Sequence, residues 1–271
     1  MSEYLKTVVE YPKICFQDTP DRRSKETSLL QLETANIIPS NYYMENVKQY
    51  KKVYTWNSKL HKEYQNMDIE SILLPNFPLF DNYSNLETFI PFEDRINGIC
   101  LICRFSQKVV DFDLVGKRIE VFESFKKLTK HTYGKIPYLE EHYKGVIGSE
   151  EKETYPSSLA KLKKLNEYKF NLCFENAYHE LWSWDYVTEK ITDCFKAKTV
   201  PVYYGCYNIE ERIPPELYVD YRKFPSDSAL EEHLVNMTKD EFESMTEKAF
   251  EWIKENNIGS IEELRGILDN D

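Results

Sequence analysis

The feature that most constrains this chain is a set of three unbroken apolar runs, NGICLICRF, KFNLCFEN and TVPVYYG, set between segments of helical periodicity. A strand with one wet face alternates apolar and polar residues. An unbroken run suits a strand covered on both faces, as in a parallel sheet. KRIEVFESFKKL follows the first run, with Ile119, Phe122 and Phe125 near one helical face, and YGKIP then reads as a strand end and turn. LAKLKKLNEY precedes the second run, and DYVTEKITDCFKA links the second to the third. Strand, helix, strand in this order predicts a doubly wound parallel sheet in the second half. The first half offers shorter runs: TVVEYPKICF, LLQLETANIIP with a strand ending at Glu33, and KKVYTWN and ESILLPNF around a helical SKLHKEYQ. These predict a smaller α/β layer. Pro75, Pro78 and Pro91 mark a boundary, placed near Pro91 to Asn97. The expected organisation is an N-terminal α/β domain over 1–95, a second domain over 96–235, and helices over 236–271 packing back across the junction.

Charge narrows the function. With 35 Lys+Arg against 46 Asp+Glu, the net charge is -11. Nucleic acids and anionic membranes need a basic excess, so neither is an expected partner, although a local basic pocket for a small phosphorylated ligand is compatible with an acidic chain. No apolar stretch approaches the roughly 18 residues of a membrane span. The N-terminal sequence lacks the segments of a signal peptide. Most of the six cysteines lie in apolar runs, where Cys acts as a small hydrophobe. Cys100 and Cys103 would point to opposite faces of a strand, and no second pair or His partner completes a zinc site. The expectation is a cytoplasmic protein with reduced thiols; the oligomeric state stays open.

The segment richest in chemistry runs from Phe174 to Gly205. Glu175 and Asn176 fall at the carboxyl end of a buried strand, where doubly wound sheets bind ligands. Asp185 reads as the N-cap of the next helix, whose buried stripe is Val187, Ile191, Cys194 and Phe195. Tyr186, Glu189 and Lys190 then sit in the first turn, off the stripe. Free helix N–H groups plus a lysine make an anion site suited to a pyrophosphate. The residue types alone favour a solvated helix start with an ordinary Glu and Lys.

This segment resembles the donor-binding motif of family 10 glycosyltransferases, the GDP-fucose-dependent α1,3/1,4-fucosyltransferases. The matching residues are Phe174-Glu175-Asn176-Ala177, Asp185-Tyr186-Val187-Thr188-Glu189-Lys190 and Val200-Pro201-Val202-Tyr203-Tyr204-Gly205. EYKFNLCFEN before it and IPPELYVDYRKF after it are similar as well, and upstream Arg118 in GKRIEVFESF and Tyr133 to Lys135 fall in the family's order. The likeness extends over roughly Asn97 to Phe224. Ala177 stands where Ser is usual, and the stretch AYHELWSW is longer and more aromatic than the family's, which is expected to reshape the pocket near the sugar.

The resemblance implies a GT-B enzyme, with two Rossmann-like domains facing across a cleft, the donor on the C-terminal one and the acceptor on the N-terminal one. It implies inverting transfer of L-fucose from GDP-fucose to a glycan hydroxyl, probed best with galactose- or N-acetylglucosamine-containing acceptors. Another sugar nucleotide, another acceptor, or an inactive nucleotide-sugar binder are the rival readings. By position, Arg118 and Lys190 would contact the pyrophosphate, Glu189 a ribose or the sugar, and Asn176 and Tyr186 the same pocket. No cofactor is implied, and a divalent metal is not expected to be essential. The base would be an acidic residue of the N-terminal domain, and Glu33 at a strand end facing the cleft is the candidate; a plain surface or capping carboxylate is the alternative. Asp111-Phe112-Asp113 imitates a metal-binding DxD motif, in a loop where the family needs none. Trp182 and Trp184 suit either a sugar-stacking platform or a loop anchor. His179, in the same loop, reads as solvent-facing.

Overall fold

The computed structural model describes Tyr11 and residues 13–74, 86–104, 110–135, 139–147, 159–256 and 261–269. The start of the expected TVVEYPKICF strand and the turn at Pro75 and Pro78 lie outside the described residues. Two sheets form, each wholly parallel. The first has four short strands in the order β1-β2-β3-β4: Ile14–Cys15, Ser28–Leu30, Val53–Thr55 and Ser71–Leu73. The second has five: β5 (Ile96–Arg104), β6 (Thr129–Lys135), β7 (Tyr168–Phe174), β8 (Val200–Tyr204) and β9 (Val219–Asp220). Their order, β6-β5-β7-β8-β9, is that of a doubly wound sheet, as the apolar runs predict.

Both faces of the second sheet are covered, which explains why its inner strands β5, β7 and β8 are mainly apolar, whereas the edge strand β6, TKHTYGK, is largely polar. On one face lie Leu162 and Leu165 of the helix Leu159–Asn166, with Ile191, Cys194 and Phe195 of the helix Glu189–Lys196. On the other lie Val121 and Phe122 of the helix Val115–Ser124 and Leu230 and Leu234 of the helix Asp227–Asn236. Cys100 belongs to the first cluster and Cys103 packs against the second, so the pair does point to opposite faces. All six cysteines are free. The long helix Lys239–Glu255 starts with a capping box at Thr238 and Glu241 and contributes Phe242 to one cluster, Ala249 and Ile253 to the other.

The first sheet is covered on one side by the helix Ser58–Asn66, through Leu60 and Tyr64. On its other side Leu264 and Leu268 of the helix Ile261–Asp269 pack with Ile14, Leu30 and Trp56. β2 ends at Leu30, three residues before Glu33, so Glu33 lies in the turn that follows and not at the strand end. No helix among the described residues is long and apolar enough to cross a membrane.

Candidate active site

In a sheet of order β6-β5-β7-β8-β9 the chain winds in opposite directions from β5 and β7, which opens a crevice at their carboxyl ends. Glu175, just beyond β7, has a fully buried side chain. Its amide N–H donates to the Tyr204 carbonyl at 2.8 Å, so the backbone stays in register with β8. The carboxylate then turns under the next helix: it accepts from the Thr188 amide at 2.9 Å, from Thr188 Oγ1 at 2.8 Å and from Lys190 Nζ at 2.9 Å. Gly205 makes room for it, since a Cβ there would lie 2.3 Å from Glu175 Cβ.

That helix starts later than the cap rule suggests. Its N-cap is Thr188, whose hydroxyl accepts from the Lys190 amide, and Glu189 and Lys190 are its first two residues. Asp185 is not the cap. It adopts φ 62°, which takes the chain out of the helical path. Its carboxylate accepts from the Ser58 amide and hydroxyl, at 3.2 and 2.7 Å, and from Asn208 Nδ2 at 3.0 Å. Tyr186 and Val187 therefore precede the helix.

Arg118, on the first turn after Val115, is buried at 2% exposure. Its Nη2 donates to the Glu175 carbonyl at 2.6 Å and to Asn176 Oδ1 at 3.2 Å, while its buried Nε has no partner among the described residues. Arg118, Lys190 and Lys161 line one small cavity with Cys103 and Phe174, a basic pocket in an acidic chain. Lys161 is paired with Asp193 at 2.6 Å. Burial pulls the Lys190 ammonium down, but Glu175 and Glu189 outweigh it and hold the group above its ordinary range. Glu189 is half-buried at the helix start, and its carboxylate makes no hydrogen bond among the described residues.

Glu33 reaches this group from the first sheet. Its Oε2 accepts from Tyr186 OH at 3.1 Å and from Asn176 Nδ2 at 3.3 Å. The ring of Tyr186 packs on Trp56 with centroids 5.0 Å apart. The expectation that Glu33 lies across an open cleft from the donor residues is therefore corrected: it touches two of them. Burial pushes the Glu33 carboxyl up, and Glu189 adds to the rise. Lys190 and the bonds from Tyr186 and Asn176 oppose it without cancelling it. The structure thus joins Glu33, Asn176, Arg118, Glu175, Tyr186 and Lys190 into one hydrogen-bonded cluster. The role of Glu175 is the part that residue-by-residue reading missed; the signal available was an acidic residue at a buried strand end with a glycine at the matching end of its neighbour.

The other candidates have structural employment. Asp113 accepts from Asn36 Nδ2 at 2.7 Å and from the Val115 amide at 3.0 Å, and Asp111 is exposed. The aromatic loop is an anchor against the first sheet. Trp182 meets Tyr42 edge-on at 5.7 Å, Lys59 Nζ lies 3.7 Å over the Trp184 ring, and Asn57 Nδ2 donates to the Leu181 carbonyl at 2.6 Å. His179 is half-buried, not solvent-facing: its Nδ1 accepts from the Leu181 and Trp182 amides, because the loop folds back over its ring.

A family model described as glycosyltransferase family 10 (fucosyltransferase), C-terminal part, matches residues 110–266, more than half of the chain. The alpha-(1,3)-fucosyltransferase FucT of Helicobacter pylori is 40% identical over 60 residues, which are 22% of this chain and 12% of that protein. GDP-fucose protein O-fucosyltransferase 3 of Danio rerio is 35% identical over 108 residues, 39% of this chain and 22% of that one. Both alignments thus span less than a quarter of the relative's own length. Among solved structures, S. aureus TarM in complex with Fondaparinux, alpha-GlcNAc-glycerol and UDP is similar with a TM-score of 0.55 at 14% identity, covering 91% of this chain and 55% of that one. At this identity the likeness is one of fold: two parallel sheets in the GT-B arrangement.

Proposed function

Because the chain belongs to glycosyltransferase family 10, the fucosyltransferases, we propose that it transfers L-fucose from GDP-β-L-fucose to a hydroxyl of a glycan acceptor by a single inverting displacement. The observation that carries this reading is the contact of Glu33, from the first sheet, with Asn176 and Tyr186 of the donor motif. A base and a leaving-group site within one cluster are what a direct displacement needs.

In the proposed step Glu33 takes the proton of the acceptor hydroxyl as its oxygen bonds to fucose C1. The bond from C1 to the β-phosphate oxygen breaks, and GDP departs with the electron pair. Arg118, Lys190 and the N–H groups of the first helical turn that the Glu175 and Thr188 side chains leave free would receive that charge. Arg118 suits two phosphate oxygens through its planar fork. Glu189 would take a ribose or sugar hydroxyl. Inversion at a β-linked donor gives an α-linked product. These cations and the helix start supply the charge that a divalent metal would otherwise bring, so the reaction is proposed to run without one.

The test is turnover of GDP-fucose, GDP-mannose and UDP-N-acetylglucosamine against galactose- and N-acetylglucosamine-containing glycans. A peptide acceptor joins the panel because the Danio rerio relative is a protein O-fucosyltransferase. GDP release from GDP-fucose alone, with an α-linked product by NMR and activity retained in EDTA, is the expected result. Turnover of a different sugar nucleotide, or GDP binding without transfer to any acceptor, would overturn it.

A further inference from the structure

Asn36 lies three residues after Glu33, in the turn that carries it, and is buried at 2% exposure. Its Nδ2 donates twice across the junction between the sheets: to Asp113 Oδ1 at 2.7 Å and to the Asn176 carbonyl at 2.8 Å. Its Oδ1 accepts from the buried Thr34 hydroxyl, which fixes which way the amide faces. Asp113 in turn accepts from the Val115 amide at 3.0 Å, at the start of the helix that carries Arg118. The Asn176 carbonyl also accepts from the Leu114 amide at 3.0 Å, while the Asn176 side chain meets Glu33 and Arg118. One buried amide therefore ties together the turn of Glu33, the peptide of Asn176 and the start of the Arg118 helix.

We propose that Asn36 is a positioning residue for glycosyl transfer, anchored by Asp113 and acting through Glu33 and Asn176. The proposal rests on the assignment of Glu33 as base. It also gives Asp113 a task unrelated to metal. A short strand that ends at Leu30 leaves Glu33 on a turn, and a turn needs bonds of its own to hold a side chain in place. Misplacing a reacting group by about 1 Å costs on the order of a hundredfold in rate, so losing this tie is read in turnover more than in binding.

Asn36→Ala and Asp113→Asn are compared with the unaltered protein in GDP-fucose turnover, using the best acceptor of the panel or, with water as acceptor, release of GDP and fucose. Asp113→Asn keeps its size and can still accept from Val115, but it sets an amide that donates against that of Asn36; it carries the test if Asn36→Ala does not fold. The expected result is a kcat about ten- to a hundredfold lower, with KM for GDP-fucose within about twofold. In a Glu33→Gln background the loss from Asn36→Ala should be clearly smaller than in the unaltered protein, because one of the two groups it positions no longer takes the proton. Full kcat in both single variants, a loss confined to KM, or an undiminished loss in the Glu33→Gln background would overturn the positioning role. If Glu33→Gln itself keeps near-full kcat, the base assignment falls and this role falls with it. If Glu33→Gln loses activity and Asn36→Ala does not, only the positioning role falls.

Discussion

The Lys190 ammonium sits 2.9 Å from the buried carboxylate of Glu175, so a substitution there changes folding as well as binding. Its place off the apolar stripe suggests a side chain free of the core, but the pairing corrects that. Removing one partner of a buried pair costs roughly 3–5 kcal/mol, and the 22% exposure of the Lys190 side chain sets the loss toward the lower end. Lys190→Ala should therefore lower Tm. The double variant Lys190→Met with Glu175→Gln leaves no unpaired charge and should melt closer to the unaltered protein. Its GDP affinity should still fall about ten- to a hundredfold, as expected for a lost charge-assisted contact of roughly 1.5–3 kcal/mol. Unchanged affinity by calorimetry would remove Lys190 from the phosphate site. Glu33 gives a second prediction, on pH. Burial raises its folded pKa above the unfolded value, so the folded state binds the proton more tightly. Its contribution to stability is present in full below the unfolded pKa and is lost as pH rises through the folded one. Glu33→Gln should thus raise Tm at pH 8, with the gain shrinking toward pH 4. A gain that grows on acidification would contradict the raised pKa. At this scale the motif named Asn176, Tyr186, Glu189 and Lys190 directly, because their types and spacing are local. The partnership of Glu175 with Gly205 is legible only once β7 and β8 are taken as neighbours, because 30 positions and a helix separate two residues that only adjacent strands bring together.

Among the elements, β5, β7 and β8 could be read from their unbroken apolar runs, and the covering helices from their stripes. The start of the helix Glu189–Lys196 could not. Asp185 and Thr188 are both good capping residues, and local preference does not separate them. The choice is made by Ser58 and Asn208, which draw the Asp185 carboxylate away, and by Glu175, which holds Thr188. Thr188→Ala removes the hydroxyl that caps the helix and meets Glu175, and should cost about 1–2 kcal/mol in denaturant unfolding. It should also weaken GDP binding, since the first helical turn would no longer be fixed. A Thr188→Ala protein with unchanged stability would show that the cap at this helix lies elsewhere. The four strands of the first sheet were harder to read because each is only two or three residues long, too short to show a period.

Across the whole molecule, the two sheets are joined by side chains from distant stretches of sequence. Asp185 holds Ser58, Leu181 accepts from Asn57, Asn36 bonds Asp113 and Asn176, and Tyr186 packs on Trp56. These contacts are invisible to any local reading, and they are what brings the Glu33 carboxylate of the first sheet to Asn176 and Tyr186 of the second. The lengthened aromatic loop serves the same junction, through Trp182 on Tyr42 and Trp184 beneath Lys59. The proposed transfer depends on that convergence. Its most direct test is the kcat of Glu33→Gln with GDP-fucose and the best acceptor, measured beside GDP affinity on the same protein. Gln keeps the size and still accepts a bond from Tyr186, but it cannot take the proton. The predicted result is a kcat lower by about 10²–10⁴-fold, with GDP affinity within about twofold. A kcat near that of the unaltered protein would mean that the base lies elsewhere, and that the meeting of Glu33 with Asn176 and Tyr186 serves only to hold the sheets together.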